Sequence, residues 1–228
     1  RFRFLLSGSS ARKLRKGGAN LLPGRLINEE MGPLTCLELK DEFNLPRALQ
    51  VGCLPGVYLD QQDGEEILRS YAETYLREEI RQEALVRDLG AYARFLDLMA
   101  VVSGQFVNYS KLASDSEISK QTLIRFVDIL EETLIGHRFP PWRPKRSSPR
   151  RILQREKIVL FDVGVRNALL QKHNRPVAQD EIGLVFEQLV LTQLTSINRG
   201  LRKGWKISSY RSEAGAEVDV VVEKDDCV

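Results

Sequence analysis

Apolar residues recur at spacings of three and four from Ala91 onward. Tyr92, Phe95, Leu96, Met99 and Ala100 fall on one stripe, which predicts an amphipathic helix. Residues 109–114 fit a second, shorter helix. Asp115-Ser116-Glu117-Ile118-Ser119 then reads as a polar turn with one buried-type isoleucine, closed by a serine suited to cap a helix. A third helix follows, with Leu123, Val127, Leu130 and Leu134 on one face and Lys120, Gln121 and Arg125 off it.

The pattern elsewhere predicts a mixture of strands and helices. Residues 2–6 read as an apolar strand running into Ser7-Gly8-Ser9-Ser10, where Ser9 or Ser10 can cap a basic helix reaching Lys16. A short strand from Leu26, a turn at Pro33, a helix over 35–43 and a glycine-proline turn over 51–57 come next. Residues 65–88 predict a helix with Ile67, Tyr71, Tyr75 and Leu76 inward and Glu66, Glu73, Glu78 and Glu83 on a solvated face. Beyond the prolines of Phe139-Pro140-Pro141-Trp142, residues 157–161 form an apolar strand and Asp162 opens a helix. Residues 180–197 form a mostly apolar helix with Glu187 in its middle.

Two last strands, 206–210 and 217–222, flank a turn at Gly215. Alternation sets Glu217, Asp219, Val221 and Glu223 on one face and Val218, Val220 and Val222 on the other. An aspartate among valines needs a reason, because an unpaired buried carboxylate is costly.

The layout of 91–139 is that of a winged helix-turn-helix, in which one short helix braces a second so that its N-terminus enters a major groove. Lys120 and Arg125 would contact phosphate or guanine, and Gln121 could pair with adenine. The same three helices also serve as a protein-docking module. The chain has 228 residues and a net charge of +3, but between 142 and 157 seven basic residues meet one acid, Glu156. That run, with Arg143, Lys145 and Arg146 at its start and Trp142 available for stacking, reads either as a partner for a phosphate backbone or as a solvated linker.

Three scattered cysteines and two histidines leave little for a disulfide framework, a zinc site or a histidine triad. No apolar run approaches the roughly 20 residues of a membrane span, and no cleavable leader is evident. A cytoplasmic protein without a membrane partner is therefore expected.

Several segments carry a resemblance. These are the run from Phe4 through Ser7 to Leu14, then Asn20-Leu21-Leu22-Pro23-Gly24-Arg25, Gly32-Pro33-Leu34, and the G-x-x-P-x-V segment from Gly52 to Val57. To them are added Asp162-Val163-Gly164-Val165-Arg166-Asn167-Ala168 and Glu217-Val218-Asp219. Together they resemble bacterial and archaeal AAA-superfamily ATPases whose ATPase domain is followed by a winged helix and a C-terminal restriction-endonuclease-like domain. The resemblance implies Ser7 as the sensor-1 residue and Arg25 as an arginine finger, with ATP and Mg²⁺ bound in the intact parent and a homo-oligomer placing Arg25 in trans. The phosphate loop G-x-x-x-x-G-K-[ST] is absent from this chain.

It further implies a PD-(D/E)xK nuclease core, with Glu187 the helix acid and Asp219 the strand acid, both metal-binding and catalytic. The E-x-K element of the following strand is missing. The expected fold is a multi-domain α/β chain that looks cut at both ends. Residues 1–60 would end an AAA-type core, 61–141 would hold a helical region and the winged helix, 142–156 a basic linker, and 157–228 a truncated nuclease-like α/β domain. The function implied is a piece of a nucleotide-dependent ATPase that binds or acts on duplex DNA; the alternative is a non-enzymatic protein-interaction module.

Overall fold

Local signals set where the helices of the first half begin and end. Thr35 caps α1 (Cys36–Leu39) with a capping box: its hydroxyl accepts from the Glu38 N–H, and the Glu38 carboxylate accepts from the Thr35 N–H at 2.8 Å. Asn44 caps α2 (Leu45–Val51), proline stands in its first turn, and Gly52 at φ 75° stops it. A one-turn helix, α3 (Pro55–Tyr58), and α4 (Gly64–Ser70) follow, the latter running into a π turn over Tyr71–Tyr75.

The computed structural model describes residues 27, 29–60, 62–75, 86, 88–144 and 152–224. Among them the chain is a mixed α/β structure of helices and two small antiparallel sheets. The N-terminal strand and helix, Leu26, the Tyr75 side chain and Leu76 lie outside the described residues. No strand forms in the described part of 27–35. The helical face around residue 67 is corrected by one position: Ile67 is 41% exposed and Leu68, at 0%, enters the core.

Asp88, Asn108 and Ser119 cap α5 (Leu89–Val102), α6 (Tyr109–Ser116) and α7 (Lys120–Glu132), each through a side-chain oxygen. The whole predicted stripe of α5 is buried, as is Ile118 in the α6–α7 turn. Tyr92, Phe95 and Phe126 form an aromatic cluster with ring centroids 5.1–5.5 Å apart that ties α5 to α7. Leu134 is not on α7 as its spacing suggested; the helix has ended, and Leu134 sits in a left-handed turn at φ 61° that aims the chain into the next strand.

That strand, β1 (Gly136–Phe139), pairs antiparallel with β2 (Lys157–Leu160). The other edge of β2 is covered by the end of the α5–α6 connection, with Gly104 N–H donating to Ile158 O at 3.0 Å and Val107 N–H to Glu156 O at 2.9 Å. Then come α8 (Val163–Leu169), the long α9 (Ile182–Gly200), and the hairpin of β3 (Lys206–Arg211) and β4 (Glu217–Glu223), irregular between Ser208 and Tyr210. The segment between β1 and β2 is pinned to β3 at both ends: Trp142 N–H donates to Ser209 O at 2.7 Å and Leu153 N–H to Arg211 O at 2.8 Å. Trp142 is therefore not a free stacking platform. Its ring is half-buried, edge-on to Tyr210 at 5.9 Å.

The motif opening α8 has a packing explanation. Asp162 is fully buried and accepts from Cys53 N–H at 2.7 Å, Val165 N–H at 3.1 Å and the Gly164 N–H. Gly164 meets the Val51 carbonyl so closely that a methyl group has no room there. Asn167 donates to the carbonyls of Leu49 and Gln50 at 2.9 and 2.8 Å. Three residues of the motif thus hold α8 on the end of α2. Among the described residues no helix is long and apolar enough to cross a membrane.

Candidate functional site

Lysine at the head of an apolar strand has a long stem to bury and a charge that must be met. Lys157 opens β2, and the pairing of that strand on both edges draws the side chain into the protein, leaving it 1% exposed. Its ammonium lies 4.7 Å from the centre of the Phe106 ring. Glu187 projects to it from the middle of α9 and forms a short hydrogen-bonded ion pair. On β4, Glu217 and Asp219 share a face because they stand two residues apart, and each places an oxygen 3.5 Å from the same ammonium.

Glu187 and Asp219 do converge, then, as the arrangement implied by the resemblance requires. Both oxygens lie within 3.5 Å of Lys157 Nζ, so they are separated by no more than about 7 Å. Two expectations about this cluster change. Asp219 is not buried: its side chain is 61% exposed, so its ionised form costs little there. Lys157 is not part of a solvent-facing basic run but the centre of an acidic cage. The missed signal was a lysine at the first position of Lys157-Ile158-Val159-Leu160, where every residue that follows it in the strand is core-forming.

The electrostatics follow. Burial pushes the Glu187 carboxyl up, the Lys157 ammonium pulls it down, and the Asp219 and Glu217 carboxylates push it up again. Glu217 is shared, since Arg211 Nη1 lies 3.4 Å from its second oxygen and the Arg211 guanidinium stands 5.6 Å from the Phe106 ring. Beside the cluster opens a cavity of about 430 Å³ lined by Phe106, Arg155, Lys157, Glu187, Arg211 and Glu217.

A second cavity of about 430 Å³ lies between α6, the start of α7 and the β1–β2 connection. Lys120 and Arg143 both line it, together with Arg155, Tyr109 and Glu156. Tyr109 donates to Glu156 at 2.6 Å, and burial is the first cause that raises its phenol pKa. Arg143 donates to Gln154 at 2.5 Å, which clips the two limbs of the connection together. Gln121 and Arg125 are exposed on α7. Lys145 and Arg146, and the nucleotide candidates Ser7 and Arg25, lie outside the described residues.

The charges meet differently in the two cavities. Around Lys120 the cations outnumber the single acid, which Arg138 and Tyr109 already engage. At Lys157 three carboxylates surround one ammonium. Mg²⁺, implied by resemblance, is tested by that donor set. The point where the carboxylates converge is held by a fixed positive charge, and a divalent ion drawing oxygens to about 2.1 Å would be pressed against it. Among the described residues no group of three or more His, Cys, Asp and Glu side chains is placed to hold a metal ion. The residues do not fit Mg²⁺ as they stand.

A family model described as "Domain of unknown function (DUF8612)" matches residues 42–175, more than half of the chain. The chain belongs to the DUF8612 family. The matched stretch runs from α2 through α8 and contains Lys120, Arg143, Arg155, Lys157 and Asp162, whereas Glu187, Glu217 and Asp219 lie beyond it. Uncharacterized proteins of Mycobacterium bovis and Mycobacterium tuberculosis are each 24% identical over 229 residues, covering 97% of this chain and 49% of theirs. An uncharacterized protein of Methanocaldococcus jannaschii is 26% identical over 182 residues, covering 77% of this chain and 37% of its own length. This DUF8612 chain spans about half the length, or less, of the curated relatives it matches. No solved structure matches it.

Proposed function

We propose that this chain is part of a nucleotide-dependent, AAA-type ATPase that binds duplex DNA through α5–α7 and the β1–β2 pair, acting as a winged helix. The observation that carries the reading is the meeting of Lys120, at the first turn of α7, with Arg143, from the β1–β2 connection, in one cavity. Two cations from separate elements, with Gln121 and Arg125 exposed alongside, form a surface suited to a phosphate backbone next to a helix that could enter a major groove. ATP binding is proposed for the longer parent, through a phosphate loop this chain lacks and through Ser7 and Arg25; an oligomer would bring Arg25 across to a neighbour.

The C-terminal elements are proposed to be nuclease-like in arrangement, with a helix acid, Glu187, and a strand acid, Asp219, brought together on one edge. The Lys157 ammonium stands in the cation's place, so no hydrolytic step is assigned to them.

One observation favours a second reading, the protein-docking module. Past Arg125 the outward face of α7 turns acidic, with Asp128 and Glu131 held by Arg138 at 2.7 and 3.0 Å and Ile124 exposed between the charges. Such a mixed face suits a protein surface better than a groove. Titration of a fluorescent duplex with the chain separates the two. Saturable binding that weakens with added salt supports the DNA reading; no binding, or binding indifferent to salt, supports docking.

A further inference from the structure

The segment before β2 is extended, and its side chains alternate between the two cavities. Leu153 and Lys157 line the cavity of the acidic cluster, whereas Gln154 and Glu156 line the basic one. Arg155 lines both. This exposed arginine therefore stands on a rim that the two cavities share, between the cations Lys120 and Arg143 on one side and Lys157 with its carboxylates on the other.

We propose that the two cavities form one track for a single nucleic-acid strand, whose phosphates pass from Lys120 and Arg143 over Arg155 to Arg211 beside the Lys157 cluster. The inference rests on the DNA reading above and adds the path and the strandedness of the substrate. Each cavity, at about 430 Å³, has the size of a small-molecule site and takes one nucleotide. A double helix, whose major groove alone is about 12 Å wide, stays outside against α7 with only its backbone reaching Lys120 and Arg143, so what passes over Arg155 into the second cavity is one strand. The charge pattern suits a strand held by its backbone and read weakly: cations grip it at the entrance, while Arg211, 5.6 Å from the Phe106 ring, offers a flat cationic surface for a base at the far end. The acidic cage repels a phosphate placed directly on it, which leaves the arginines on the rim as the anion contacts.

A photo-crosslinking side chain placed at Ser110, exposed in the basic cavity, or at Gln105, exposed in the other, reads the path. The probe is a duplex with a labelled ten-nucleotide single-stranded overhang, and the full chain is used. The expected result is that both positions crosslink to the overhang. Arg155→Glu should then lower the Gln105 yield about tenfold while leaving most of the Ser110 yield, and Arg155→Lys should keep both. Thermal melts that match the parent show that the variants are folded. Crosslinking at Ser110 alone, or equal loss at both positions in Arg155→Glu, overturns the track while the DNA reading stands. No crosslink at either position together with no duplex binding overturns both.

Discussion

The Lys157 ammonium and the Glu187 carboxylate form an ion pair in which the lysine is shielded from water and the glutamate is only 19% exposed. The pair joins β2, next to the helical bundle, to α9, whose Leu191 shares a small apolar cluster with Ile207 and Val220 of the C-terminal hairpin. Removing one partner of a shielded pair leaves the other charge without compensation, at a cost of about 3–5 kcal/mol. Lys157→Met should lose about that much stability in urea denaturation, because it leaves three carboxylates facing one another. Adding Glu187→Gln to it should recover part of the loss. Asp219→Asn, at a largely exposed site, should cost less than about 1 kcal/mol. A neutral Lys157→Met would show that the pair does not hold these elements together.

The same cage predicts a response to divalent ions. In the parent chain the ammonium already occupies the point where the carboxylates converge, so millimolar Mg²⁺ should leave the melting temperature unchanged. In Lys157→Met the three carboxylates have lost that cation, and Mg²⁺ should raise the melting temperature of the variant through linkage. Equal stabilisation of both proteins would show that metal binds without competing with Lys157.

Asp162 predicts a pH dependence with a definite sign. Burial pushes its carboxyl from the ordinary 3.8 up to about 6, against the three backbone N–H groups that favour the charged form. The folded chain therefore keeps a proton that the unfolded chain releases between these values. Stability from this group is greatest below the ordinary value, falls as pH rises towards about 6, and is level above it. Against Asp162→Asn, which cannot ionise, the parent should gain about 1 kcal/mol on going from pH 7 to pH 5. Urea midpoints at the two pH values give the difference. An unchanged difference, or a parent that loses stability relative to the variant at pH 5, would contradict the assignment.

Gly164 tests the packing account of the motif that opens α8. Its missing side chain lets the Val51 carbonyl approach, so Gly164→Ala should cost about 1–3 kcal/mol by overpacking. Gly183→Ala, where nothing lies near, should be neutral or slightly stabilising. Both are read from denaturant midpoints, and equal effects would remove the packing explanation.

These residues also show what could be read in advance. The stripe of α5, the Ser119 cap and the buried Ile118 were legible because helical period and capping are local rules, and the tight turn between α6 and α7 leaves few alternatives. Glu187 and Asp219 could be paired because a mostly apolar helix must pack against something and the strand carries its acids on one face. The role of Lys157 was not legible. A strand's edge partners are set by distant chain, and only the pairing of β2 with both β1 and the 104–107 segment turns a lysine in a basic run into a buried one. Ile67 and Leu68 show the related limit: both are apolar, and only the tertiary neighbours choose which faces inward. The place of Trp142 was hidden for the same reason, since Tyr210 lies far along the chain.

The proposal that Lys120 and Arg143 grip one phosphate backbone is tested most directly by the salt dependence of duplex binding. Fluorescence anisotropy at several salt concentrations gives the slope of log K against log salt for the parent, for Lys120→Ala, for Arg143→Ala and for the double variant. Each lysine or arginine that neutralises a phosphate contributes about 0.9 to that slope. The account predicts that each single variant flattens the slope by about 1 and the double variant by about 2, with binding weakened alike across duplex sequences. Slopes that stay at the parent value in all three variants would contradict it and assign this surface to a protein partner.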